Sequence, residues 1–209
     1  MADRHRNDRT LTTDFPVPGV AVRQPRRGYR WGVEVYLLAD FALGGGVVRT
    51  AVDLGTGSGI LALLLAIRGV QVTAVERSPS WVPLARENLA DHDVTVVEAD
   101  VRDWQGPAVD VVVANPPWFD PATGPVSPDR WKAESRTALF GSPEDFVRAG
   151  LRHAGRVCVV GPRPVVVPGA FLARVARSGR LVLSEVRPGE GETREEGVDL
   201  AAVYGRFGR

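Results

Sequence analysis

The sequence predicts an α/β protein, a three-layer fold in which helices cover both faces of a mainly parallel sheet. Near-continuous Val-rich runs alternate with segments of helical periodicity, the pattern of strands buried on both faces. A glycine-rich turn, GTGSG at Gly55–Gly59, joins the first of these runs to the next helix, where a main chain must bend sharply and approach a ligand closely.

The elements follow in order. Residues 1–18 are polar and then punctuated by proline, which predicts a flexible leader; residues 19–209 then form one domain. Apolar residues recur at helical spacing from Val33 to Leu43 and stop at the triplet Gly44–Gly46. A strand over 47–52, a helix over 60–67, a strand over 70–75, a helix over 79–90 and strands over 94–98 and 108–114 come next. Beyond a Pro/Gly/Asp loop, the pattern predicts helices over 132–138 and 143–153, a strand over 156–160 and a helix over 168–178. Strands over 181–186 and 198–207 close the chain, joined by an acidic, glycine-rich connection.

A chain of 209 residues builds one hydrophobic core, and 44% hydrophobic with 24% charged residues is the composition of a soluble globular domain. The net charge of +1 gives no global argument for a nucleic-acid partner. Locally, Arg23, Arg26, Arg27 and Arg30 share a window without an acid, as a phosphate-facing patch or as a solvated loop. The single cysteine, Cys158, forms no intrachain disulfide and sits in VCVV as a small buried hydrophobe. The apolar run at 60–67 is too short to span a bilayer and no signal peptide is evident, so the expectation is a cytoplasmic protein without membrane contact. His5, His92 and His153 are widely spaced and no metal-ligand motif occurs, so no metal is expected.

Three acids stand at successive strand ends. Asp53 precedes the glycine turn, Glu76 follows the second strand about twenty residues on, where a carboxylate accepts ribose hydroxyls, and Asp100 follows the third, within reach of an adenine amino group. Each can alternatively cap a following helix. The glycine spacing is G-x-G-x-G, with Ile60 where a dinucleotide fingerprint needs glycine, which weakens a pyrophosphate ligand and a hydride-transfer reading. After the fourth strand comes NPPWF, Asn115–Phe119: an amide, two stiffening prolines and two aromatic rings.

On these residues the chain resembles class I S-adenosylmethionine-dependent methyltransferases. The resemblance implies a seven-stranded, Rossmann-like sheet with its last strand antiparallel and S-adenosylmethionine as cofactor. It implies that Asp53, Gly55, Gly57 and Gly59 support the methionine part, that Glu76 binds the ribose, and that Asp100 with Val101 meets the adenine. Asn-Pro-Pro-aromatic resembles the catalytic tetrapeptide of enzymes that methylate a nitrogen conjugated to a ring or carbonyl. The Asn115 side-chain oxygen and the Pro116 carbonyl would accept its two N–H bonds, and Trp118, where tyrosine is commoner, would stack on the flat substrate. Phe119 is either a second wall or core.

Within the family, the segment QPRRGYRWGVEVYLL (Gln24–Leu38) and NPPWF are most similar to bacterial tRNA adenine-N6 methyltransferases, although Glu34 stands where aspartate is usual. That likeness makes a tRNA the expected substrate, with Arg26, Arg27, Arg30, Arg130, Lys132 and Arg136 available to phosphates and Trp118 to an unstacked base. A release-factor glutamine amide, an rRNA guanine amino group, a small-molecule amine and a non-catalytic binding subunit stay open as alternatives. Tyr29, Trp31 and Tyr36 are either packing or part of a lid over the cofactor.

Overall fold

The structure is a computed structural model and describes residues 11–26, 30–118 and 141–208. A hairpin of β1 (Leu11–Val17) and β2 (Val20–Pro25) precedes α1 (Val33–Leu43). The chain then runs β3 (Thr50–Leu54), α2 (Ile60–Ala66), β4 (Gln71–Glu76), α3 (Trp81–Asn88), β5 (Val94–Glu98) and β6 (Val111–Ala114). It continues through α4 (Pro143–Leu151), β7 (Val157–Gly161), β8 (Ala170–Ser178), β9 (Leu181–Pro188), β10 (Arg194–Glu196) and α5 (Leu200–Arg206). The predicted helix over 132–138 lies outside the described residues.

The main sheet has the order β10-β8-β9-β7-β6-β3-β4-β5. Only β9 runs against its neighbours, being antiparallel to both β7 and β8, while the other pairings are parallel. Period-two alternation divides the core. Val111 and Val113 of β6 and Cys158 and Val160 of β7 face α1 and α2, whereas Val112, Ala114, Val157 and Val159 face α4. The two faces thus make the middle layer of an α/β/α sandwich, with the first strand of the sheet, β3, lying between β4 and β6. The order reverses there, so a crevice opens outside the carboxyl ends of β3 and β6.

Three expectations are corrected. Residues 11–17 of the predicted leader form β1, because pairing with β2 buries Leu11 and Val17 and the Tyr36 hydroxyl donates to the Pro16 carbonyl at 2.8 Å. The predicted helix over 168–178 is β8. Ser178 pairs with Leu181 across a two-residue turn in which Gly179 has φ +58°, a hairpin geometry that overrides the helical propensity of Ala, Leu and Arg. The predicted final strand over 198–207 is α5, started by Asp199, whose Oδ1 accepts from the Ala202 N–H at 3.1 Å. The antiparallel strand is therefore β9, and the acidic connection supplies β10 as an eighth strand.

The last strands are knit by charge. Glu185 of β9 is fully buried and accepts from Arg174 Nη1 and from Arg187 Nε, both at 2.8 Å, with Arg156 at 3.7 Å. Arg174 also pairs with Glu196, fastening β10. Removing one partner of such a cluster leaves uncompensated buried charge. Glu185→Ala should lower unfolding free energy by ~3 to 5 kcal/mol in urea titrations, and a loss under about 1 kcal/mol, the range of surface pairs, would show that the cluster is not a stabilising core.

Candidate functional site

A cavity of about 400 Å³ occupies the crevice and is walled by the strand ends of β3, β4 and β6 together with the segment before α1. Its floor is the glycine turn. The Gly55 and Thr56 N–H groups donate to the Val75 carbonyl at 2.8 and 3.1 Å, drawing the turn against β4. Gly57 has φ +57°, and a Cβ there would meet nothing nearer than the Trp81 ring at 4.0 Å, so the missing side chain leaves space that a ligand can fill. At Gly55, which also lines the cavity, a Cβ would strike Phe146 at 2.8 Å, and at Gly59 one would strike Leu89 at 2.7 Å, so close packing requires glycine at both positions.

Glu76 ends β4, lines the cavity and is nearly buried. Its Oε2 accepts from the Gly57 N–H at 2.9 Å and its Oε1 from the N–H groups of Arg77 and Ser78 at 2.9 and 2.8 Å. Main-chain donors thus aim the carboxylate before any ligand arrives. Asp53, on β3, is 1% exposed and accepts from the Thr56 hydroxyl at 2.5 Å. Burial pushes its carboxyl up to about 7, against the lowering effect of the Thr56 and Ala62 hydrogen bonds and with a smaller push from the Glu76 charge.

The opposite wall is Asn115–Trp118, which leaves the end of β6 directly into the cavity. Asn115 is half-buried, and Pro116 and Pro117 hold the main chain beside it. Trp118 lines the cavity and packs against the core cluster that contains Val160, with a buried indole N–H that has no partner among the described residues. Phe119, Arg130, Lys132, Arg136 and Arg27 lie outside the described residues, as does Tyr29.

Of the remaining predicted residues, Val101 lines the cavity and Asp100 does not. Asp100 is turned to two arginines, which hold its carboxyl down at about 2 chiefly through the Arg102 side chain. Arg30 reaches the cavity rim while donating to Asp14 at 2.9 Å; Arg26 stays away from it, its Nε donating to the Leu11 carbonyl at 2.7 Å. Arg23 is paired with Glu87 at 2.8 Å, so within the predicted basic patch Arg23, Arg26 and Arg30 already have protein partners. Glu34 lines the cavity, oriented by the Gly32 N–H at 2.8 Å. Tyr36 is core, edge-on to Tyr204 and Phe207, not lid.

Sequence reasoning missed Trp81, Phe146 and Arg77 as cavity residues. Arg77 was signalled by its position next to Glu76; Phe146 comes from a helix remote in sequence and carried no signal. His153 is buried, its ring 4.6 Å from that of Trp104. Among the described residues no group of three His, Cys, Asp or Glu side chains is placed to hold a metal ion, and no helix is long and apolar enough to cross a membrane.

Residues 51–123 match a family model described as a methyltransferase domain. The chain is 38% identical over 126 residues to a tRNA1(Val) (adenine(37)-N6)-methyltransferase of Erwinia tasmaniensis, an alignment covering 55% of this chain and 51% of that protein. A protein of the same name from Salmonella arizonae is 33% identical over 129 residues, covering 56% and 53%. The chain thus spans about half the length of the curated relatives it matches. Among solved structures, the Pyrococcus abyssi tRNA (uracil-54, C5)-methyltransferase in complex with S-adenosyl-L-homocysteine superposes with a TM-score of 0.57 at 14% identity, covering 85% of this chain and 44% of that one.

The Asp53 carboxyl generates a pH dependence with a definite sign. Between its ordinary value of 3.8 and about 7, the folded protein holds a proton that the unfolded chain has released. Stability from this group therefore falls as pH rises through that window, by up to ~4 kcal/mol, and levels off above it. In the ligand-free protein, urea midpoints should fall between pH 5 and pH 8 more steeply for the parent than for Asp53→Asn. Equal slopes would show that Asp53 is not the titrating group.

Proposed function

We propose that this chain, whose methyltransferase domain has the class I fold and takes S-adenosylmethionine, methylates a planar exocyclic nitrogen, and that its substrate is the N6 amino group of an adenine in tRNA. The observation that carries the reading is the shared cavity: Asn115 and Pro116 line the same space as Gly57 and Glu76. A pure binding module has no use for an amide at that position. The tRNA part rests on the names of the curated relatives and on the likeness of the leading segment Gln24–Leu38.

The residues present suit the cofactor. The open side of Gly57 admits the main part of a ligand against the turn, and Glu76, fixed by three N–H groups, presents a carboxylate to a ribose diol. When bound, the cofactor supplies an electrophilic methyl group on a sulfonium. An exocyclic amine conjugated to a ring is a weak nucleophile because its lone pair is delocalised. The Asn115 Oδ1 and the Pro116 carbonyl accept its two N–H bonds and so turn the lone pair toward the methyl side. The same two oxygens stabilise positive charge as it builds on the nitrogen. No general base is required, since the methylated amine is acidic enough to release its proton to water afterwards. Trp118 supplies a flat apolar wall for stacking, which is insensitive to the identity of the π-system.

The test uses purified protein with labelled S-adenosylmethionine and separate pools of unmodified tRNA, ribosomal RNA, release factor and small amines. Label transfer to the tRNA pool, recovered as N6-methyladenosine, is the expected result. Transfer only to another pool overturns the tRNA assignment, and transfer to none overturns the catalytic reading. Asn115→Ala should cut turnover by about 10²-fold or more with cofactor affinity nearly unchanged; undiminished turnover would remove Asn115 from the mechanism.

A further inference from the structure

We propose that the turn of the β8–β9 hairpin is a phosphate-binding surface: Arg177 and Arg180, with Arg163 beside them, hold the backbone of an RNA substrate whose base enters at Trp118. This rests on the RNA reading above and names the surface that such a substrate would need.

The sequence supplies the charge in one block. Residues 146–184 contain seven arginines and no Asp or Glu, an excess that the net charge of +1 hides. The fold sorts the seven. Arg156 and Arg174 are turned to the buried Glu185, Arg152 donates to the carbonyls of Val101 and Arg102, and Arg148 pairs with Asp145 at 3.1 Å. Three are left with charge to offer. Arg163 has one ion pair among the described residues, to Glu144 at 3.3 Å, and its side chain is 70% exposed. Arg177 and Arg180 are exposed, and neither guanidinium has a hydrogen-bond or ion-pair partner among the described residues.

Topology brings the three to one place. β7 and β8 both run antiparallel to β9, which lies between them, so their carboxyl ends and the β8–β9 turn share the sheet edge that carries the cavity. Gly161 pairs with Val182 and Val182 with Arg177, so these residues stand level across the edge. Trp118 stands over the first of them: a Cβ on Gly161 would meet its indole nitrogen at 4.0 Å. Two strand spacings, about 10 Å, therefore separate the end of β7 beneath the aromatic wall from Arg177 on β8. Ala176 packs in the α1 layer, so Arg177 faces the other side of the sheet, where Arg163 meets Glu144 at the start of α4. Gly179, at φ +58°, closes the turn in two residues and leaves Arg180 at its tip.

Such a surface suits a phosphodiester chain. A guanidinium fork matches phosphate oxygens, and arginines carried on a tight hairpin need little ordering of the main chain on binding. A base stacked on Trp118 brings its flanking nucleotides across the same edge. Contacts of this kind fix the position of the nucleic acid and read no sequence. Arg23, Arg26 and Arg30 of the entry segment, in contrast, already answer Glu87, the Leu11 carbonyl and Asp14.

The test measures binding of unmodified tRNA to the full chain by fluorescence anisotropy across a range of salt, with S-adenosylhomocysteine present. Replacing Arg177 and Arg180 together by Ala should weaken binding by about tenfold at about 0.1 M salt and make the dependence of log affinity on log salt shallower by roughly 1 to 2, the share of two phosphate contacts. The double Lys variant should keep the parent's slope, because it keeps both charges. Arg86→Ala, which removes an exposed arginine of α3 beside β5 at the opposite end of the sheet, should weaken binding by less than about twofold. Affinity for S-adenosylhomocysteine, read by calorimetry, should be unchanged in every variant and reports an intact fold.

Equal affinity and slope in the parent and the double Ala variant would overturn the proposal. So would an equal loss in Arg86→Ala, which would make the effect one of overall charge. Loss of methyl transfer to release factor with tRNA binding intact would overturn it in favour of a protein partner. A parent without measurable affinity for tRNA would remove the RNA reading itself, and this surface with it, before any variant is compared.

Discussion

The site exists because β3 and β6 are hydrogen-bonded neighbours although nearly the whole of two βα units separates them in sequence. Their register, Asp53↔Val113 and Leu54↔Ala114, makes both strands end at the same level. The glycine turn leaves one strand and Asn115 leaves the other, so the two halves of the chemistry emerge side by side from one rigid edge. A slip by one residue would invert every side chain on β6, driving Val111 and Val113 out of one core layer and Val112 and Ala114 out of the other. The register of these two strands therefore sets the distance between ligand floor and amide wall.

The electrostatics of the cavity follow from the same edge. Asp53, Glu76 and Glu34 place acids around it, and the Asp53 carboxyl is buried enough to keep its proton near neutrality while Glu76 is held by main-chain donors. A ligand that brings a positive centre meets a wall able to compensate it; a pyrophosphate would meet repulsion. Among the described residues, Arg30 and Arg77 are the cations on the wall, and each is tied to an acid, Asp14 and Asp100, so their charge is already partly answered. The acids around the cavity thus favour a cationic or neutral guest over an anionic one.

Much of this was legible in the sequence where local signals agreed. The β3–α2–β4–α3–β5 stretch combines Val-rich runs, glycine at positive φ and helices of ordinary length, and the strand-end acids fall out of those boundaries. The C-terminal third was misread because its apolar runs are short: AFLARVARS and LAAVYGR fit either period, and pairing or a cap decides. The hairpin partner of β8 and the Asp199 cap were both visible, as Ser-Gly-Arg between two apolar runs and as an aspartate before a helix former, but tertiary pairing settles which signal wins. Within the site, Phe146 was not readable at all. It stands behind Gly55 because α4, opened by the Ser142–Asp145 capping box, crosses that face of the sheet.

The tryptophan of the tetrapeptide changes what the wall can do. A tyrosine there would bring a hydroxyl able to accept or donate at the substrate's edge, whereas an indole brings a donor only. Here that donor is buried without a partner among the described residues, beside Gly161, and leaving it so costs on the order of 1 to 3 kcal/mol. Such a cost is tolerable only if the ring's area compensates, and the indole does pack on the core beneath the sheet edge. The aromatic wall is consequently a surface for stacking with no proton-accepting function of its own. On the proposed mechanism, acceptance of the substrate's N–H bonds falls to Asn115 and the Pro116 carbonyl, which is why the amide, rather than the ring, is the group on which catalysis should depend.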